Sequence, residues 1–268
     1  MIEIKSFFHE TSSSLTYVVY DSESLDAILI DPVLDYNSEN GEQFTDQVDL
    51  VDSFIQSENL QLHWVLETHA HADHLTGAQE FKARYPNAQT GISSQITIVQ
   101  DTFGKILELG DQFNPNGSQF DHLFQDNESC KAGTMEFKVI ATPGHTPSCV
   151  CYFIRDLLFT GDTLFMPDFG TGRCDFPNGS ATDLYKSIKR IYELPESTRV
   201  FVGHDYQPGG RELIYETSIG DSKLNNKHLK ADTTEAEFVK FRTERDAQLS
   251  EPKLLKPSIR HNIQAGRG

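Results

Sequence analysis

Residues 68–74 read Thr-His-Ala-His-Ala-Asp-His, three imidazoles and a carboxylate within seven positions, directly after the apolar run at 62–66. A short apolar run of this kind reads as a buried strand, which sets the cluster at a strand end, where rigid scaffolds present functional side chains. Alternation along extended backbone aims His69 and His71 to one side. Neutral imidazoles and carboxylates are ligands suited to zinc or iron(II). The run therefore points to a metal centre, and to a fold in which other strand ends bring it partners.

The later chain offers such partners three times. His145 sits in Thr-Pro-Gly-His-Thr-Pro (142–147), Asp162 ends the apolar run 157–160 after Gly161, and His204 follows the run 199–202 and Gly203. A glycine before each ligand lets the backbone turn sharply and approach closely. Strands are expected at 16–20, 27–30, 62–66, 135–141, 149–154, 157–160 and 199–202, and helices at 48–55, 184–194 and 234–249. Asp73 is expected to cap a helix that starts at His74 and continues through 78–84. The polar stretches 35–45 and 110–133 read as surface loops. Alternating strands and helices describe a layered α/β protein, one domain over residues 1–268, with a polar tail from about 206 packed on it.

The ordered motifs over 68–205 resemble those of the metallo-β-lactamase superfamily, which implies a four-layer αββα sandwich. The finer sequence looks like the persulfide dioxygenase branch, whose bacterial members are described as β-lactamase-like hydrolases and which is related to the glyoxalase II thioesterases. Supporting residues are THAHADHLTG (68–77), TGRCDF (171–176) following Gly161-Asp162, LYKSI (184–188), and Gly203-His204-Asp205-Tyr206. The segment after His204 is shorter than the glyoxalase II helical domain and lacks its basic glutathione-clamping pattern. The resemblance implies one iron(II) held by His69, His145 and Asp162. It makes His71, Asp73, His74 and His204 either hydrogen-bonding neighbours or, in a hydrolase, ligands of a second metal. The implied activity is oxidation of glutathione persulfide by O2 to sulfite and glutathione. The alternative is a dinuclear Zn(II) thioesterase acting on hydroxyacylglutathione. A homodimer is a further implication.

Arg173 is a candidate for orienting substrate, since a guanidinium grips carboxylates bidentately; a salt bridge to Asp175 or Asp183 is the other reading. Tyr206 either donates its phenol into the site or packs. The chain carries 40 acidic against 23 basic residues, a formal charge of −17. That balance, with no basic block, argues against nucleic acid or an anionic membrane as partner. No run approaches the ~20 apolar residues of a membrane span, so the expected location is the cytoplasm. Cys130, Cys149, Cys151 and Cys174 lack zinc-knuckle spacing and are read as free thiols, with Cys149 and Cys151 in the core.

Overall fold

The computed structural model describes residues 1–267. From the N-terminus the chain forms β1 (Ile2–His9), β2 (Ser14–Asp21), β3 (Asp26–Ile30), β4 (Val33–Tyr36), β5 (Gln43–Phe44), α1 (Asp46–Ser57), β6 (Gln61–Leu66), β7 (Leu75–Thr76), α2 (Ala78–Arg84), β8 (Gln89–Ser93) and α3 (Ile96–Ile106). It continues with β9 (His122–Phe124), β10 (Ser129–Ala132), β11 (Met135–Ala141), β12 (Val150–Ile154), β13 (Leu157–Phe159), α4 (Ala181–Ile191), β14 (Arg199–Phe201), β15 (Glu216–Ser218), α5 (Ile219–Asn225), α6 (Glu235–Asp246) and α7 (Leu255–Asn262).

Two six-stranded sheets result, ordered β1-β2-β3-β6-β8-β9 and β10-β11-β12-β13-β14-β15. In the first, β3, β6, β8 and β9 run parallel. In the second, only β13 and β14 do. Period-two alternation decides what each face touches. Tyr17, Val19, Ile28, Ile30, Trp64 and Leu66 point between the sheets, against Phe137, Val139, Tyr152, Phe159 and Phe201. Their neighbours Val18, Tyr20, Ala27, Leu29 and Val65 point outward, under Val48, Val51 and Ile55 of α1 and Phe81 of α2. On the far side α4 lays Leu184, Ile188 and Ile191 onto the second sheet. Each such side chain contributes about 1.5–3 kcal/mol on full burial. The layers are thus helix, sheet, sheet, helix, as the resemblance implies.

Several expectations shift. Helix α4 begins three residues early because the Ser180 hydroxyl accepts the Asp183 N–H at 3.1 Å and caps it. Asp73 caps no helix. Leu75 and Thr76 instead pair with Leu34 and Val33, and α2 starts at Ala78 after an N-cap glycine. The segment 110–133 is not all loop, since β9 and β10 lie in it and form one edge of each sheet. The segment 35–45 likewise holds the end of β4 and the short β5. Cys149 and Cys151 are buried free thiols, each pushed up to about 12 by burial. Among the described residues no helix is long and apolar enough to cross a membrane.

Candidate metal centre

Strand ends deliver the ligands to one place. β6 hands on to Thr68, whose carbonyl accepts Val150 N–H at 2.9 Å, so the start of the His cluster is tied to the second sheet. The Tyr152 hydroxyl secures the preceding Glu67 carbonyl at 2.8 Å. The turn after β13 passes so near that a Cβ at Gly161, where φ is +48°, would meet Thr68 Oγ1 at 2.4 Å. A Cβ at Gly203 would meet the Gly161 backbone at 2.9 Å. These contacts bring His69, Asp162 and His204 together, and the 142–147 turn adds His145. Asp162 Oδ2 lies 4.0 Å from His69 Nε2 and 3.6 Å from His145 Nε2. Asp162 Oδ1 lies 3.2 Å from His204 Nε2.

The outer nitrogen of each imidazole is held by an oxygen, which decides the tautomer. Thr68 donates its hydroxyl to Asp31 Oδ2 at 2.8 Å, so its Oγ1 is free to accept His69 Nδ1–H at 3.0 Å. His145 Nδ1–H donates to the Arg173 carbonyl at 2.7 Å. His74 and His204 donate from Nδ1 to the Leu75 and Ser13 carbonyls. His71 is turned the other way, with Nε2 between Asp31 Oδ1 at 3.1 Å and Glu67 Oε2 at 3.2 Å. The inward nitrogens of His69, His74 and His145 are therefore lone pairs, whereas His71 and His204 set a ring nitrogen against carboxylates. His69 Nε2, His71 Nδ1 and Asp162 Oδ1 are buried with no aligned hydrogen bond from the protein.

Electrostatics divide the imidazoles: burial opposes charge on His71, yet the Asp31 and Glu67 carboxylates hold it well above the ordinary value. Burial holds His69 well below the ordinary imidazole value, and the neighbouring His71 adds to it. Burial opposes charge on His204, yet the Asp162 and Asp73 carboxylates outweigh it and lift the group to about 9. Burial also opposes ionisation of Asp162, but His204, His69 and His145 hold its carboxyl well below the usual range. Imidazole lone pairs around an ionised buried carboxylate are the donor set a divalent cation requires. His69, His145 and Asp162 bring ligand atoms within 4.8 Å of one another, and His71, Asp73 and His74 do the same beside them.

Comparison with known proteins agrees with this geometry. The Metallo-beta-lactamase superfamily profile matches residues 10–204. The chain belongs to the metallo-β-lactamase superfamily. Within that superfamily it is 48% identical over 265 residues to Glyoxylase B2 of Dictyostelium discoideum, covering 98% of this chain and 91% of that protein. It is 32% identical over 208 residues to the human mitochondrial persulfide dioxygenase ETHE1, covering 76% of this chain and 69% of the relative. The crystal structure of ETHE1 from Myxococcus xanthus superposes with a TM-score of 0.80 at 31% identity, over 99% of this chain and 100% of that one.

Arg173 and Tyr206, the candidates for substrate positioning, sit as follows. Arg173 forms a bidentate pair with Asp175 and donates to the Ser250 carbonyl at 2.9 Å. The Asp183 pairing is not formed. Tyr206 stacks on His204 with ring centroids 5.3 Å apart and is 43% exposed, on the wall of a cavity of about 350 Å³ that His145 and Asp162 also line. Desolvation at the cavity wall and the Asp162 and Asp73 carboxylates push its phenol above the ordinary value, so it remains a donor. Asp31 and Glu67, which orient Thr68 and His71, carry no signal in a strand pattern. Their only sequence marks are the Asp-Pro after β3 and the place of Glu67 just before the cluster. Asp31 reaches both Thr68 groups from a left-handed backbone of φ +50°, which Asp tolerates better than most residues.

Proposed function

We propose that this protein is an iron(II)-dependent persulfide dioxygenase that converts glutathione persulfide, O2 and water into glutathione and sulfite. The observation that supports this reading most is the His69–His145–Asp162 triad in a fold shared over its full length with ETHE1. Two imidazoles and one carboxylate are the facial set of non-heme iron oxygenases, which leaves positions open for further ligands. Bound there, iron(II) would supply dioxygen activation and a seat for the persulfide sulfur. His69, His145 and Asp162 would hold it.

The remaining residues act around that set. Asp31, through Thr68, and the Arg173 carbonyl hold two imidazoles with their lone pairs inward. Tyr206 keeps its proton and offers a hydroxyl to a sulfur or oxygen atom in the cavity. Phe165 and Phe169 pack beside it on the same wall. The stoichiometry balances: both O2 atoms and one water oxygen reach the terminal sulfur, which leaves as sulfite while the glutathione thiol is regenerated.

A second reading, a dinuclear Zn(II) thioesterase, draws on the second cluster of His71, Asp73 and His74 beside His204 and on the 48% identity to Glyoxylase B2. Two metals would activate a hydroxide and polarise a thioester carbonyl. One experiment separates the two. Protein purified without chelator is assayed for iron and zinc, for O2 uptake with glutathione persulfide, and for thiol release from S-lactoylglutathione. O2 uptake with iron near one per chain is expected; anaerobic thiol release with two zinc ions per chain would overturn the dioxygenase reading.

A further inference from the structure

Outside the metal centre, three donor atoms of different kinds meet where the two sheets end. β9 is the last strand of the first sheet and β10 the outer strand of the second, and the loop 125–128 joins them. His122 starts β9 and Cys130 lies in β10. Glu128 precedes Cys130 by two positions, so along extended backbone the two side chains share one side. His122 Nε2 lies 2.7 Å from Glu128 Oε1, and the Cys130 thiol donates to the same oxygen at 3.4 Å. The three ligand atoms fall within 4.8 Å of one another.

The trio is held from outside. Glu128 Oε2 accepts the Gln125 N–H at 2.8 Å, which leaves Oε1 to the other two. The Asn127 N–H and the Glu128 carbonyl both pair with Val139 of β11, at 2.9 and 2.8 Å. The His122 ring rests against Phe124 and Trp64, with centroids 4.7 and 5.8 Å away. Burial opposes ionisation of Glu128, but the Gln125 N–H and His122 hold its carboxyl below the ordinary range. Burial and Glu128 push the Cys130 thiol up to about 11, so it keeps its proton beside that carboxylate. The His122 and Glu128 side chains are 37% and 25% exposed, where an ion pair alone contributes little and an ion in solution can reach both. In a tetrahedral zinc site with bonds of about 2.0–2.3 Å, neighbouring donors stand about 3.3–3.7 Å apart. The sulfur–oxygen separation already fits, and the nitrogen–oxygen one has to open by less than about 1 Å when a cation replaces the shared proton.

We propose that His122, Glu128 and Cys130 form a separate binding site for a borderline-soft divalent cation, zinc foremost, which fastens the edge of one sheet to the edge of the other. Imidazole, carboxylate and thiolate make a set that zinc accepts, and a water completes four-coordination. The Cys130 proton leaves to solvent as the sulfur–metal bond forms, and no electron is exchanged. The spacing of Cys130 in the sequence matches no zinc motif; the site exists because the fold sets β9 beside β10. A cation that binds the folded arrangement and not the unfolded chain stabilises the fold by mass action. The site shares no residue with the triad or with the cluster beside it, so it is independent of the choice between dioxygenase and thioesterase.

The test uses the full chain with its triad metal loaded, titrated with Co(II) and with Zn(II). Cobalt bound to a thiolate shows a near-ultraviolet charge-transfer band, which the triad and its neighbours, holding no cysteine, do not produce. Wild type is expected to gain that band with one Co(II) per chain, together with quenching of Trp64, the chain's one tryptophan, and excess Zn(II) should remove it. Cys130→Ser should abolish the band. His122→Gln should weaken Co(II) binding by more than about tenfold, the loss that even partners of ligands bring. His145→Ala, which disables the triad, should keep the band. Cys130 is the one thiol of the four that is not buried, so its alkylation in wild type, mapped by mass spectrometry, should slow when Zn(II) is present, and this measurement needs no variant. Absence of a thiolate band at millimolar Co(II), a band that survives Cys130→Ser, full affinity in His122→Gln, or Cys130 alkylation indifferent to Zn(II) overturns the proposal.

Discussion

His145 donates its Nδ1 proton to the backbone carbonyl of Arg173 at 2.7 Å, so the residue that orients this ligand does so with its main chain. The Arg173 side chain is engaged elsewhere, on Asp175 and the Ser250 carbonyl. The preceding Gly172 approaches the other side of the triad, where a Cβ would meet the Asp162 carbonyl oxygen at 2.1 Å.

Backbone and side chain at this loop are therefore separable. Gly172→Ala must push the loop off Asp162, disturb the Arg173 carbonyl and lower metal affinity by about 10–100-fold, the range seen when partners of ligands are lost. Arg173→Ala keeps the carbonyl and should retain most of the metal. Metal content after dialysis against a graded chelator reads both; a Gly172→Ala protein as well loaded as wild type would remove the orienting role.

Removal of a ligand is more severe. His145→Ala or Asp162→Ala leaves two of three protein donors, and metal and activity should disappear together. His204 approaches Asp162 and Asp73 at 3.2 and 3.5 Å. In a one-metal site His204→Ala keeps its metal, whereas in a two-metal site the content falls by half. Elemental analysis of the purified variants distinguishes these outcomes.

The strand ends are legible in the sequence because apolar runs stop abruptly at Gly-Asp, Gly-His or a His cluster, and the parallel-strand geometry then has to bring them together. Other parts are not. β1 alternates apolar and polar residues with only Phe7 fully buried, and as an edge strand it reads as a polar terminus. β8 carries Gln, Thr, Gly and Ser around one isoleucine. Helix α3 was findable, since Ile96, Val99 and Phe103 recur at helical spacing and are buried. Asp73 is followed by a strand rather than a helix because Asn262 of α7 accepts the Thr76 N–H at 2.8 Å and donates to the His71 and His74 carbonyls. That long-range contact overrides a local capping signal.

The Arg242–Asp246 pair holds the loop that carries Thr171 and Cys174. Arg242 donates to the Thr171 carbonyl at 3.2 Å, and Asp246 Oδ2 accepts the Cys174 N–H at 2.7 Å. Asp246→Ala strands a buried guanidinium and a backbone N–H, at a cost of about 3–5 kcal/mol. Replacing both members with well-packed apolar residues should cost less than the single change. Denaturant melts of the three proteins give the comparison. A single variant no less stable than the double would mean the pair does not support this loop.

His228 makes folding stability depend on pH. Burial together with Arg242, Lys227 and Arg245 drives its folded value down to about 3, below the unfolded imidazole value of 6.5. Above pH 6.5 both states carry it neutral and its contribution is constant. Between 6.5 and about 3 the unfolded chain takes up a proton that the folded protein refuses, so stability falls as pH falls through that window. His228→Gln can still accept the Thr171 N–H but does not titrate. Urea midpoints measured from pH 8 to pH 4 should decline less steeply for the variant than for wild type. Parallel curves would mean that this imidazole is protonated in the folded state, and that the cations around it exert little field at the cavity wall.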